Sequence, residues 1–350
     1  MSGDSWYTFH SASTERSNTK FISHRPPEYS VLTIAVGSVM VFSFNIFSNQ
    51  NFHYLWIYKN KNYFMNGLFI GLSTIDLIYY VERTVYANEK INAKEIVLSG
   101  GGPAYNAAVT FSALGNKSLL ISGIGPSSLS TIIHKELKDF HISCIDGFKD
   151  SSQTLPVSSI QITPDGERAV LTNSGPRSLQ PEQLPGDIPP DTRILLTDGH
   201  YLESAIHFSQ IAYQQKIPTI LDGGSWKKGM EKLLPWINVI ICSDTFRIPS
   251  VADNYLEKKA YLFHTGPQKV AFTRGANSVL AFENDLQTEI TVPDFPVVDT
   301  LGAGDIFHGA FCHYYIEHFN FLKALKQASE IASLSCKYKG TKAWIDQLNK

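Results

Sequence analysis

From Met65 onward, short apolar runs alternate with stretches of helical period. Runs at Leu68–Leu72, Leu119–Gly123, Ile194–Thr197, Thr219–Leu221, Val239–Ile241 and Val270–Thr273 have the length and composition of buried strands. Tyr105–Leu114, Leu202–Gln215 and Phe321–Lys337 lie among them and repeat apolar residues at helical spacing. This order predicts an α/β domain in which a mainly parallel sheet is flanked by helices on both faces. Two segments break the rhythm. Asn92–Ser99 and Val157–Asn173 alternate without helices, the second around a turn at Thr163-Pro164-Asp165-Gly166. They predict a small antiparallel β-subdomain projecting from the main sheet.

The first 64 residues have a different character. Residues 1–30 are polar and rich in Ser and Thr, which favours disorder. Tyr29 to Tyr58 carries no Asp, Glu, Lys or Arg, and Val31–Ser48 is mostly apolar. That run is close to the roughly 20 residues a membrane span needs. Asn45, Asn49, Gln50 and Asn51 stand against a span, as do basic residues on both flanks. Three readings stay open: a disordered or mis-assigned extension with Met65 as the true start, a membrane anchor over 31–48, or a structured appendage. The expected organisation is an extension over 1–64 and one α/β domain over 65–350.

Composition narrows the partners. The 350 residues have a formal charge of −2 and no long basic run, which gives no support for nucleic acid. Cys144, Cys242, Cys312 and Cys336 are scattered without metal-ligand spacing, as expected of reduced thiols in a cytoplasmic protein. His308, His313 and His318 recur every five residues, which turns each about 140° from the last, so they share no face and read as unrelated residues.

The most specific chemistry lies at Asp299-Thr300-Leu301-Gly302-Ala303-Gly304-Asp305-Ile306-Phe307. Apolar residues at helical spacing follow Asp305, which places Gly302-Ala303-Gly304 at a helix N-terminus, where free N–H groups and the helix dipole attract an anion. Glycine lets the backbone approach that anion closely. An acid beside an anion hole makes sense if Asp305 takes a proton from a hydroxyl that attacks a phosphate held by the loop. A second constellation, Ser99-Gly100-Gly101-Gly102-Pro103-Ala104-Tyr105-Asn106, joins a glycine turn to a helix. Asn106 there offers a donor and an acceptor, which suits sugar hydroxyls.

Together the two motifs, in this order and roughly 200 residues apart, resemble the paired signatures of PfkB-type (ribokinase-like) carbohydrate kinases. The resemblance covers about Met65 to Lys350. It implies a ribokinase-like three-layer sandwich with a small antiparallel β-lid, here about 76–99 and 151–173, that often mediates dimerisation. It implies ATP-dependent phosphorylation of a hydroxymethyl group, with Asp305 as base and Gly302, Ala303 and Gly304 as anion hole. Asp76, Gly101, Gly102, Asn106 and Arg168 match substrate-side positions, and Thr273, Gly275, Thr300, Gly302 and Gly304 match the ATP side. ATP and Mg2+ are implied, with a monovalent cation (K+) as an option near Asp299.

Two features depart from the family pattern. In the Thr-x-Gly-x-x-Gly loop after Thr273, Ser278 replaces the second glycine. The Asn-x-x-Glu motif that helps organise magnesium is absent: its place reads Cys242-Ser243-Asp244-Thr245-Phe246, and Asp244 is the acid available there. A similar Ser-x-Asp occurs in the ketohexokinase-like branch, so that branch is the nearer expectation. Asp198 and Asp222 fall at strand ends, where open α/β sheets bind ligands, although turn or capping roles fit them equally. The alternatives to a sugar kinase are a nucleoside kinase of the same superfamily or a non-catalytic kinase-fold binding protein.

Overall fold

A computed structural model describes residues 33–36, 39–42, 67–173, 175, 178–284 and 286–348. The chain divides into two units, 1–63 and 64–350. In the first, β1 (Thr33–Val36) pairs antiparallel with β2 (Val39–Phe42), so strand occupies part of the 31–48 run. The rest of the expected extension lies outside the described residues. Among the described residues no helix is long and apolar enough to cross a membrane.

The larger sheet of the second unit has nine strands. Seven of them, all parallel, run from one edge as β7 (Ser143–Asp146), β6 (Ser118–Ser122), β3 (Gly67–Ile70), β10 (Ile194–Thr197), β11 (Thr219–Gly223), β12 (Val239–Ser243) and β13 (Lys269–Arg274), in that spatial order. An antiparallel hairpin, β14 (Asn277–Glu283) and β15 (Leu286–Ile290), extends the β13 edge. Successive side chains on these strands face opposite layers. Ile220, Ile241 and Ala271 join one core with α1 (Pro103–Ala113), α5 (Ala303–His318) and α6 (Phe321–Ser335). Leu221, Ile240, Val270 and Phe272 join the other, beneath α3 (Leu202–Gln214) and α4 (Tyr255–Thr265). Burial on both faces explains the uninterrupted apolar runs and gives the three layers. The short α2 (Ser130–Asp139) adds Ile133 and Leu137 to the first core.

The smaller sheet has four strands: β5 (Glu95–Gly101), β4 (Thr74–Tyr80), β8 (Val157–Ile162) and β9 (Arg168–Thr172). Its outer pairs are antiparallel, but β4 and β8 run parallel, which the alternation of Asn92–Ser99 and Val157–Asn173 did not predict. Both inner strands leave the large sheet in the same direction, β4 directly after β3 and β8 after β7. Ile78, Tyr80, Ile160 and Ile162 form its own buried cluster.

Candidate active site

The functional residues gather at the C-terminal ends of the parallel strands, where connecting segments leave a crevice. α5 begins there. Gly302 is its N-cap with φ of 69°, a left-handed conformation that favours glycine, and a Cβ would meet the Thr341 methyl at 2.6 Å. Gly304 is exposed, and a Cβ on it would have nothing within 4 Å. The Ala303 N–H turns back to Thr300 O at 3.3 Å. The N–H groups of Gly302, Gly304 and Asp305 have no partner among the described residues.

Asn106 meets Asp305 directly: its Nδ2 donates to Asp305 Oδ2 at 2.8 Å, joining the two motifs across 199 positions. Its Oδ1 is buried and has no hydrogen-bond partner, which leaves an acceptor ready for an incoming donor. Burial, together with the neighbouring Asp222 charge, pushes the Asp305 carboxyl up to about 7. A carboxyl poised there can exchange a proton near neutrality.

The glycine turn is glycine for steric reasons. At Gly101 a Cβ would collide with the Asp76 carboxylate, and at Gly102, with φ of 97°, it would stand 2.4 Å from Leu72 O. Asp76 is 7% exposed and accepts the Thr74 hydroxyl at 2.8 Å. Burial raises its proton affinity, against the Thr74 hydrogen bond and the Lys342 charge. Behind the turn stands a cluster that no sequence pattern singled out. Glu136 of α2 accepts from the Gly100 N–H at 3.1 Å and the Tyr105 hydroxyl at 2.5 Å. Lys342 pairs with Glu136 at 3.2 Å and donates to Gly100 O and Ser99 Oγ, each at 2.6 Å. Two segments remote in sequence, α2 and the C-terminal stretch at Lys342, thus fix the path of residues 99–101.

The strand-end acids separate by role. Asp198 is fully buried and ties down three segments through the N–H groups of Leu72, Ala104 and His200. Asp222 accepts the Gly224 N–H at 2.8 Å and stands 3.4 Å from His308 Nδ1. Asp299, 3% exposed, accepts from the Tyr80 hydroxyl, the Leu301 N–H and the Gly340 N–H, each at 2.8 Å. Three donors thus hold that carboxylate in place behind the loop.

The remaining expected residues lie around the rim. Arg168, exposed on β9, donates to Thr300 Oγ1 at 2.9 Å and so docks the small sheet on the segment leading into the anion loop. Thr273 aligns with Ser243 across β12 and β13, and Gly275 makes the β13–β14 turn with φ of 61°. Ser278 gives Arg274 a side-chain and a backbone acceptor, at 2.7 and 2.6 Å. Asp244 is exposed at the end of β12 and accepts the Tyr255 hydroxyl. Among the described residues the side-chain bonds of Asp244 and Thr273 go to Tyr255 and Cys242 O, away from Asn106 and Asp305, so these form a separate rim. A cavity of about 570 Å³ lies at the opposite edge, among residues preceding β11, β12 and β13, and plays no part in this constellation.

Residues 67–347 match the family described as pfkB family carbohydrate kinase. The chain belongs to it. Carbohydrate kinases are phosphotransferases with an alcohol group as acceptor, and that is the enzyme class of this pfkB kinase. It is 25% identical over 303 residues to the deoxyribokinase of Salmonella typhi, covering 80% of this chain and 96% of the relative. The ribokinase of Dictyostelium discoideum is likewise 25% identical, over 316 residues, covering 80% and 97%. In fold, the pfkB kinase resembles Arabidopsis thaliana ribokinase complexed with ribose and ATP, with a TM-score of 0.64, 19% identity, and coverage of 82% and 99%. These relatives carry ribokinase names and do not single out the ketohexokinase-like branch.

Proposed function

We propose that this pfkB kinase transfers the γ-phosphoryl group of ATP to a hydroxymethyl group of a small sugar or sugar derivative. What supports this reading most is the 2.8 Å bond between Asn106 and Asp305, which brings a group suited to sugar hydroxyls against an acid at an anion-binding helix end. Asp76, Gly101, Gly102 and Asn106 hold the sugar, and the unpartnered Asn106 Oδ1 accepts one of its hydroxyls. Asp305 takes the proton of the attacking hydroxyl. The hydroxyl oxygen of the sugar forms the new bond to phosphorus, the bond from phosphorus to the β–γ bridging oxygen breaks, and ADP leaves. The N–H groups of Gly302, Gly304 and Asp305 stabilise charge on the transferring group. Ala303 contributes helix geometry, because its own N–H is occupied.

ATP lies along the rim of Thr273, Gly275 and Thr300, and the small sheet closes over the sugar through Arg168. Closure excludes water, the competing acceptor. Mg2+ bound with ATP would supply charge neutralisation at the phosphates, and Asp244, exposed just after β12, is the acid that would help hold it. The small sheet also exposes Ile96, Leu98, Val170 and Leu171, which supports a homodimer through this lid. Unpaired cysteines are in keeping with a cytoplasmic setting.

The test is a panel of pentoses, deoxypentoses, hexoses and nucleosides with ATP consumption as readout. The relatives' names put ribose and deoxyribose first. Turnover confined to nucleosides replaces the sugar reading, and no turnover alongside ligand binding favours a non-catalytic binding protein.

A further inference from the structure

His308 sits one helical turn after Gly304 and is 4% exposed. Its Nδ1 is 2.7 Å from Gly304 O and 3.4 Å from Asp222 Oδ2, and its Nε2 is 3.1 Å from Ile241 O. Both ring nitrogens therefore face only acceptors. A neutral imidazole has one N–H and one lone pair, so in this pocket it would set a lone pair against a carbonyl oxygen. Two N–H groups satisfy both sides, and the charge they bring is balanced by the adjacent Asp222 carboxylate.

We infer that His308 is held as a buried imidazolium that, paired with Asp222, fixes the Gly304 carbonyl and tunes the proton affinity of Asp305. His308 is in this sense a positioning residue, and the inference rests on the reading of Asp305 as the base. Two carboxylates, Asp222 from β11 and Asp76 from the small sheet, oppose ionisation of Asp305, while His308 and the Asn106 amide favour it. From β12 comes the Cys242 thiol and from α5 itself the Cys312 thiol, both pushed up by burial and neutral. After β10 come Asp198 and His200; burial lowers the proton affinity of His200, partly against Asp198, and the Lys227 charge adds to that lowering. His308 is the cation that touches Asp222 within this set.

Ring 15N signals of histidine-labelled protein test the charge directly. One of the eleven histidines should show both ring nitrogens protonated in the folded protein at neutral pH. If no ring does so, the inference is overturned, whatever the substrate. The coupling is tested by pH–rate profiles. His308→Asn should move the acidic limb of kcat up by about one pH unit, and adding Asp222→Asn should bring it back. An equal loss at every pH, with the limb unmoved, reduces His308 to a structural residue and overturns the coupling. Should His308→Asn not fold, the wild-type ring signals still decide. Failure of the base reading looks different: Asp305→Asn would then retain turnover, with the ring signals unaffected.

Discussion

The Tyr80 hydroxyl donates to Asp299 Oδ2 at 2.8 Å, and this bond connects the small sheet to the segment that enters the anion loop. Tyr80 is 8% exposed and Asp299 3%, so the bond is shielded from water. Tyr80→Phe leaves Asp299 with two N–H donors and removes one tie between sheet and loop. The expected cost is about 1–3 kcal/mol in urea unfolding, as for a hydrogen bond to a charged group. Sugar KM should rise more than kcat falls, because the tie orients the sheet and does not touch the phosphoryl group.

Asp305→Asn keeps the size of the side chain and removes the proposed base. Turnover should drop by about 10²–10⁴-fold with ATP binding retained, measured by single-turnover kinetics and calorimetry. In the wild type, kcat should rise with pH through about 7, as the carboxylate forms.

The same variant has a stability signature of opposite sign. The Asp305 carboxyl is raised from 3.8 to about 7 in the fold. A raised acid favours the native state while protonated, and that contribution is lost as pH rises from about 4 through 7. Asn never charges. Asp305→Asn should therefore melt a few degrees higher than wild type at pH 8, by roughly the shift a kcal/mol or more produces in a domain of this size. The difference should close below pH 4, which thermal scans across pH will check.

Gly302 and Gly304 should separate stability from chemistry. Gly302→Val forces a left-handed φ on a branched side chain and drives it into Thr341, so it should lower Tm markedly. Gly304→Val places its side chain in open space, leaving Tm near wild type. It fills the approach to the free N–H groups, and kcat/KM for ATP should fall about 100-fold or more.

Lys342→Met removes the cation that pairs with Glu136 and the donor to Gly100 O and Ser99 Oγ. Glu136 keeps the Gly100 N–H and the Tyr105 hydroxyl but loses its counter-charge. We expect a loss of about 2–4 kcal/mol by denaturant titration. A rise in sugar KM should accompany it, since this cluster fixes the strand end that carries Gly101.

The two signature motifs were legible because each is contiguous and carries its own logic: glycine where backbone must approach a ligand, and a polar side chain in the first turns of the helix behind it. The parallel sheet was legible for a similar reason, since doubly buried strands read as unbroken apolar runs. What the sequence hid depends on contacts between remote segments. His308 looked like one of three unrelated histidines, and only the fold brings it to Asp222 of β11 and the Ile241 carbonyl of β12. Glu136 and Lys342 are ordinary surface-type residues until α2 and the C-terminal segment converge on Gly100. The parallel pairing of β4 with β8 follows from where the chain leaves the large sheet, which alternation of side chains does not encode.

Thr74 aligns with Gly101, and Asp76 with Ser99, on the first rungs of the small sheet, whereas Asp305 rides on a helix packed against the large one. On the proposed roles, Asp76 on the acceptor side and the transferring acid are mounted on separate pieces of scaffold, with Asn106 of α1 bridging them through its bond to Asp305. A library of substitutions on the small sheet that spares Tyr80 and Arg168, its ties to the loop, is the natural starting point for engineering a kinase with a new acceptor.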